Sequence, residues 1–291
     1  LVLHLLAIAH EAGVELNLSD FDEISRKVPF VCNLQPSGRY PIVSLDNAGG
    51  IPAVLKTIRY ALHEDSLTVT GKTLHELLQD VEVHPDDVLK TLDHPQKPEG
   101  GIAVLHGNLA PKGAVVKQSG VNKKMYHFRG RARCFSSMEE ADAAISGDTI
   151  EKGTVIVIRY EGPKGGPGMR EMLSTTSLIM GRKMDLDVAL VTDGRFSGAT
   201  HGPCIGHVSP EAVNGGPIAF VQDGDWIEID IPNRTLTLEV SDEELARRKE
   251  NWKPLIKPRL PALAKYAALV GSSDTGAVVD IENLKYSKPT F

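Results

Sequence analysis

The hydrophobic pattern of this chain changes period near residue 100. Before that point apolar residues recur at helical spacing, as at Ile51, Val54, Leu55, Ile58, Ala61 and Leu62. After it they come in short strand-like runs: Ile102–Leu105, Ala114–Lys117, Thr154–Arg159 and Val188–Val191. Two further runs, Trp226–Ile231 and Thr235–Val240, alternate with period two around Pro232-Asn233-Arg234, a hairpin signal. The switch falls on His94-Pro95-Gln96-Lys97-Pro98-Glu99-Gly100-Gly101, where Pro and Gly interrupt regular structure. A domain boundary is expected there, and 291 residues suit two domains or one large one.

Local signals fill in the remaining elements. Leu1–Ala9 is expected as a buried helix closed by Gly13 in a left-handed cap. It is too short to span a bilayer, and it lacks the basic n-region and cleavage site of a signal peptide. Because it is apolar nearly all round and opens on Leu, the sequence looks like the carboxy-terminal part of something longer. Ser19 is the expected N-cap of a helix over Asp20–Arg26; Thr73–Leu78 and His84–Leu92 are short helical candidates. Capping boxes at Ser137-Met138-Glu139-Glu140 and Ser241-Asp242-Glu243-Glu244 open helices to Ile145 and about Trp252. Met169–Met180 reads as one more helix.

Composition excludes several classes. With 32 Lys and Arg against 38 Asp and Glu, the net charge is −6, so the basic footprint of a nucleic-acid binder is missing. Cys32, Cys134 and Cys204 form no CxxC pair, which argues against a zinc knuckle and fits a reducing compartment.

Two loops are too unusual to be plain connections. In Arg159-Tyr160-Glu161-Gly162-Pro163-Lys164-Gly165-Gly166-Pro167-Gly168-Met169-Arg170-Glu171 a strand runs through Gly and Pro to a helix start. Backbone N–H groups in such a loop can hold an anion. Glu171, expected in the first helical turn, is either a dipole-favoured surface carboxylate or a ligand for a hard cation. Lys164 and Arg170 are either solvated or anion-facing. The second loop, Thr192-Asp193-Gly194-Arg195-Phe196-Ser197-Gly198-Ala199-Thr200-His201-Gly202, follows a buried strand. It does not meet the Gly-x-Ser-x-Gly elbow, since Arg195 and Ala199 occupy the glycine positions. Ser197 and His201 are each a turn residue or a reacting group, and spacing does not separate the two.

The second loop resembles the carboxy-terminal signature of the dihydroxy-acid and phosphogluconate dehydratase superfamily. The glycine loop through Glu171 and Gly206-His207-Val208-Ser209-Pro210-Glu211-Ala212 resemble further landmarks of that family. Leu6–Gly13, Asp22–Arg26, Pro36–Arg39, Ala48–Ala53, Leu67–Leu74, Pro98–Val116 and Gly276–Asp280 follow in the same order, so the resemblance covers nearly the whole chain. Gly107–Lys117 leans toward the dihydroxy-acid branch.

The resemblance implies a hydro-lyase converting 2,3-dihydroxy carboxylates to 2-keto acids in branched-chain amino-acid (valine and isoleucine) biosynthesis. By motif Ser197 is the base that takes the C2 proton, and Glu171 is a ligand of Mg²⁺, which holds the carboxylate and C2 oxygen. A free hydroxyl is a poor base at pH 7, so nearby cations must activate it. An Fe–S cluster, 2Fe–2S or 4Fe–4S, serves as Lewis acid for the C3 hydroxyl. The family's cluster cysteines and remaining Mg²⁺ ligands belong to its amino-terminal half. No Cys-Asp-Lys occurs in this chain, and the ligand role is not carried onto Cys32, Cys134 or Cys204. These residues alone are therefore expected to be inactive.

The implied fold is mixed α/β. Residues 1–92 would be the helical tail of an amino-terminal α/β domain, and 93–291 a β-barrel-like swivelling domain with peripheral helices that carries the serine. The implied partners are a small-molecule 2,3-dihydroxy acid and a second copy in a homodimer, with no nucleic acid and no membrane. The implied location is bacterial cytoplasm or an organellar matrix or stroma, not the secreted space. A sugar-acid dehydratase and a non-catalytic anion- or partner-binding domain are the alternatives; serine hydrolysis is disfavoured by the missing elbow.

Overall fold

The computed structural model describes residues 1–279; Asp280, the end of the last matching stretch, lies outside them. The chain divides into two compact units. One holds Leu1–Phe21 and the residues from Ala103 onward, the other Asp22–Ile102. Among the described residues no helix is long and apolar enough to cross a membrane.

Helix α1 (Val2–Glu11) buries Val2, Leu3, Leu6 and Ala9 and leaves Leu1, Leu5 and Ile8 exposed. Gly13 follows at φ +66°, the left-handed turn that a glycine permits. Helix α2 (Leu18–Lys27) starts earlier than the Ser19 cap implied. The Asn17 N–H donates to the Asp20 carboxylate at 2.7 Å, the reach-back half of a capping box, so Asn17 occupies the cap and Ser19 lies inside the helix.

The smaller unit is built from short pieces around Val31, Leu45, Ala48, Ala53, Val88 and Leu89. Its helices are α3 (Ile42–Asn47), α4 (Gly50–Thr57) and α5 (Leu74–Leu78). The helix expected to reach Leu62 ends at Thr57 and continues only as a 3₁₀ turn at Arg59–Ala61. Thr73 caps α5 in a full capping box with Glu76. His84–Leu92 is not helical. Asp86 accepts from the Val88 and Leu89 N–H groups at 2.6 and 3.0 Å, and that side-chain turn competes with helix formation.

The larger unit is an eight-stranded, barrel-like mixed sheet. The strands are β1 (Ala103–Leu105), β2 (Ala114–Val116), β3 (His127–Phe135), β4 (Thr154–Ile158), β5 (Ala189–Thr192), β6 (Cys204–Gly206), β7 (Trp226–Asp230) and β8 (Thr235–Leu238). Their order is β1-β2-β6-β5-β4-β3-β7-β8, with β3 to β6 mutually parallel. The ends of this sheet meet. His106 bridges Thr235, with its N–H on the Arg234 carbonyl and its own carbonyl taking the Leu236 N–H. Gly107 makes the seam possible, because a Cβ there would lie 2.1 Å from the Leu236 carbonyl oxygen.

Burial explains the residue choice in the parallel strands. In β4, Val155 and Val157 join the barrel interior with Val116, Val191, Ile205, Ile227 and Leu236. Ile156 and Ile158 join a second cluster with Ala141 and Ile145 of α6 (Met138–Ser146) and Ile179 of α7 (Leu173–Gly181). A strand covered on both faces reads as an unbroken apolar run. Two strands lay outside the sequence reading: β3, whose surface arginines mask its pattern, and β6, three residues long. Helices α8 (Asp242–Glu250) and α9 (Pro261–Leu269) complete the unit.

Candidate functional site

Three loops leave the same end of the barrel. Because β4, β5 and β6 are parallel neighbours, the segments after their carboxyl ends emerge side by side, the usual place for a site in parallel sheets. They are the glycine loop after β4, the 193–203 segment after β5, and the 207–212 segment after β6.

Asp193 ties the three together. It is fully buried and accepts from the N–H groups of Tyr160, Glu161 and Ala212 at 3.1, 3.0 and 2.9 Å. Burial pushes its carboxyl above the usual range, while the three donors pull the other way.

The N–H groups of the glycine loop do meet a carboxyl group, but one that the chain itself provides. Glu211, 2% exposed, accepts from the Lys164 N–H at 2.9 Å and the Gly165 N–H at 2.8 Å. Burial pushes its carboxyl up to about 7. The glycines make room: a Cβ on Gly162 would come within 2.6 Å of Glu211 Oε2, and one on Gly166 within 2.6 Å of Glu161 Oε2. Glu161 is fully buried and takes the Met138 N–H at 3.1 Å and the Lys257 ammonium at 3.0 Å. Arg170 pairs with Glu139 at 2.7 Å, so neither it nor the Lys164 N–H is free for an outside anion.

Glu171 lies one residue beyond Arg170, before α7 rather than in its first turn. There it forms an isolated parallel bridge with Arg195. The Arg195 N–H donates to the Arg170 carbonyl at 2.9 Å, and the Met172 N–H donates to the Arg195 carbonyl at 2.7 Å. Glu171 is exposed and Ser197 half-buried, two residues past the bridge. The two residues singled out in separate loops therefore stand on paired backbone segments. Ser197 Oγ accepts the Ala199 N–H at 3.2 Å. No hydrogen bond joins Ser197 to His201 among the described residues, so the hydrolase arrangement is not formed.

The 193–203 segment must return along the sheet to start β6, and β2 and its continuation catch it. Lys117 Nζ donates to the Gly198 carbonyl and lies 3.5 Å from the Thr200 carbonyl, and the Gly202 N–H donates to the Gly120 carbonyl at 3.0 Å. Phe196 packs into the second core, in contact range only because Gly206 has no Cβ. Its ring centroid lies 6.0 Å from that of His207. His207 is 9% exposed, adopts φ +58°, and has its Nδ1 buried without a hydrogen-bond partner among the described residues. Burial pushes its pKa down to about 3. Ser209, fully buried, bonds Ser272 at 2.9 Å and Asp274 at 2.5 Å, which anchors the third loop. The roles of Asp193, Glu211 and Lys117 were not legible in their motifs, because their partners lie 19 to 83 residues away in no periodic pattern.

The donor set tests the implied cofactors. Among the described residues no three His, Cys, Asp or Glu side chains gather as a metal site. Glu171 fits one oxygen ligand of a hard cation such as Mg²⁺. The cysteines do not assemble a cluster site either: among the described residues none of Cys32, Cys134 and Cys204 joins a group of three ligand-type side chains.

Comparison with known proteins agrees with the motifs. The family model described as dihydroxy-acid/6-phosphogluconate dehydratase C-terminal matches residues 87–277, and its N-terminal counterpart matches 1–77. A dihydroxy-acid dehydratase of Ignicoccus hospitalis is 56% identical over 282 residues, covering 96% of this chain and 51% of that protein. Those of Clostridium novyi and Pyrococcus furiosus are 56% and 54% identical, with the same coverage of 96% and 51%. The chain thus spans about half the length of these relatives. With both family models matched in order and the signature loops paired at one end of the barrel, the chain belongs to the dihydroxy-acid/6-phosphogluconate dehydratase family.

Proposed function

We propose that this chain forms part of a hydro-lyase that removes water from 2,3-dihydroxy carboxylic acids to give 2-keto acids, with Ser197 as base and Glu171 as a Mg²⁺ ligand. The observation that carries this reading is the Glu171–Arg195 bridge, which sets the carboxylate-bearing segment beside the serine-bearing one. Ser197 Oγ, as alkoxide, takes the proton from C2. The C3–O bond then breaks, hydroxide leaves with a proton as water, and the resulting enol tautomerises to the 2-keto acid. Lys117 lies against the serine loop, its ammonium on the Gly198 carbonyl, and supplies positive charge of the kind that an alkoxide base requires. Mg²⁺, when bound, would spread the negative charge developing at the carboxylate and C2 oxygen, and Glu171 would hold one of its positions.

The Fe–S cluster belongs to this reading through the family alone, and no step is derived through it. The domain division at about residue 92 is supported by the two family models, which meet between residues 77 and 87. The homodimer and an intracellular location are also part of the proposal, and so is the inactivity of residues 1–291 alone. Turnover of a dihydroxy acid by the isolated 291-residue chain would overturn that last element.

The test is Ser197→Ala in the protein encoded by the complete reading frame, assayed with 2,3-dihydroxyisovalerate and with gluconate. The expected result is a loss in kcat of about 10²–10⁴, with unchanged unfolding, and a preference for the branched dihydroxy acid. Retained turnover removes Ser197 from the chemistry; preference for gluconate moves the substrate to the sugar acids.

A further inference from the structure

We infer that Arg195 is the residue of this chain that binds the substrate carboxylate, a role that rests on the dehydratase reading above. Arg195 is half-buried, and its Nε is sealed from solvent without a hydrogen-bond partner. No acid pairs with it among the described residues. Arg170 is taken by Glu139 and Arg248 by Asp225. Arg159, whose Nε is also unpartnered, spends its Nη1 on the carbonyls of Ala219 and Val221, and Arg259, with Nε and Nη2 unpartnered, lies outside both signature loops. A buried donor without an acceptor costs free energy unless a ligand supplies one. The guanidinium fork matches a carboxylate with two parallel N–H···O bonds.

Placement selects the same group. In a 2,3-dihydroxy acid the carboxylate is one bond from C2, so whatever grips it must stand next to the base. Arg195 is two residues before Ser197. Phe196, between them, packs into the second core and fixes this stretch of the loop against the barrel. The backbone of Arg195 is clamped by Arg170 and Met172, which leaves only the side chain to adjust.

The test uses the complete protein and two ligands, 2,3-dihydroxyisovalerate and its carboxamide, titrated calorimetrically in a Ser197→Ala background. Arg195→Met is expected to weaken binding of the acid by about 30-fold while changing that of the amide by less than about threefold, with Arg195→Lys between. A merely structural role would weaken both ligands alike, and that result, or unchanged binding of the acid, overturns the inference. Steady-state kinetics of Arg195→Lys in the otherwise unaltered protein give a second reading. KM is expected to rise about tenfold with a smaller change in kcat, and an unchanged KM overturns the inference. The Ser197 reading fails separately, through retained turnover of Ser197→Ala.

Discussion

At the scale of single residues, Glu211 and His207 make this end of the barrel sensitive to pH with opposite signs. Glu211 has its carboxyl raised to about 7 by burial. In the unfolded chain it ionises near the ordinary glutamate value, so between about pH 4.5 and 7 the folded state holds the extra proton. Stability from this group therefore falls as pH rises through that window, by roughly 3 kcal/mol in total. His207, lowered to about 3 by burial, does the reverse: its contribution is complete above about pH 6.5 and is lost as pH falls toward 3. The sum masks each slope, so the measurement is the difference between the protein and Glu211→Gln in urea unfolding at several pH values. The variant is expected to lose the decline between pH 4.5 and 7 and to keep the rise due to His207. A wild-type decline that survives in Glu211→Gln assigns it to another group.

At the scale of elements, the order of strands does the positioning. Parallel neighbours β4, β5 and β6 bring three loops to one end; the side chains of Asp193 and Glu211 lock them together, and Ser209 fixes the third to Ser272 and Asp274. Helix α6 is joined to this arrangement at its start, where Ser137 Oγ accepts the Glu140 N–H at 3.3 Å and Glu161 accepts the Met138 N–H at 3.1 Å. An acceptor at each of two early donors satisfies groups that a helix leaves unpaired. Ser137→Ala is expected to lower stability by about 1 kcal/mol, read as a shifted urea midpoint with unchanged slope. An unchanged midpoint would mean that Glu161 suffices as the cap.

At the scale of the whole chain, the closure of the barrel depends on one seam. β1 and β8 meet through His106, and Gly107 allows the approach at φ +154°. Gly107→Ala would put a Cβ against the Leu236 carbonyl, which as backbone has no rotamer to move into. The expected loss is about 3 kcal/mol, with faster hydrogen exchange at the His106 and Leu236 amides, whose bonds form the seam. Full protection of both amides in the variant would show that the seam does not depend on glycine there.

The sequence by itself determined the period of its segments, the hairpin of β7 and β8, the caps at Ser137 and Ser241, and the loops worth watching, because each is a pattern among residues close together in the chain. Family membership was legible too, since its signatures are contiguous strings. Tertiary structure alone decided the rest. Asp86 turned an expected helix into a loop, and β6 exists because β5 and β2 offer a slot between them. The bridge that pairs Glu171 with Arg195 crosses 24 residues, and the carboxyl in the glycine loop came from Glu211, 46 residues on. Such pairings are made by burial and by the need of every buried donor for an acceptor, and neither leaves a period in the chain for a reader to find.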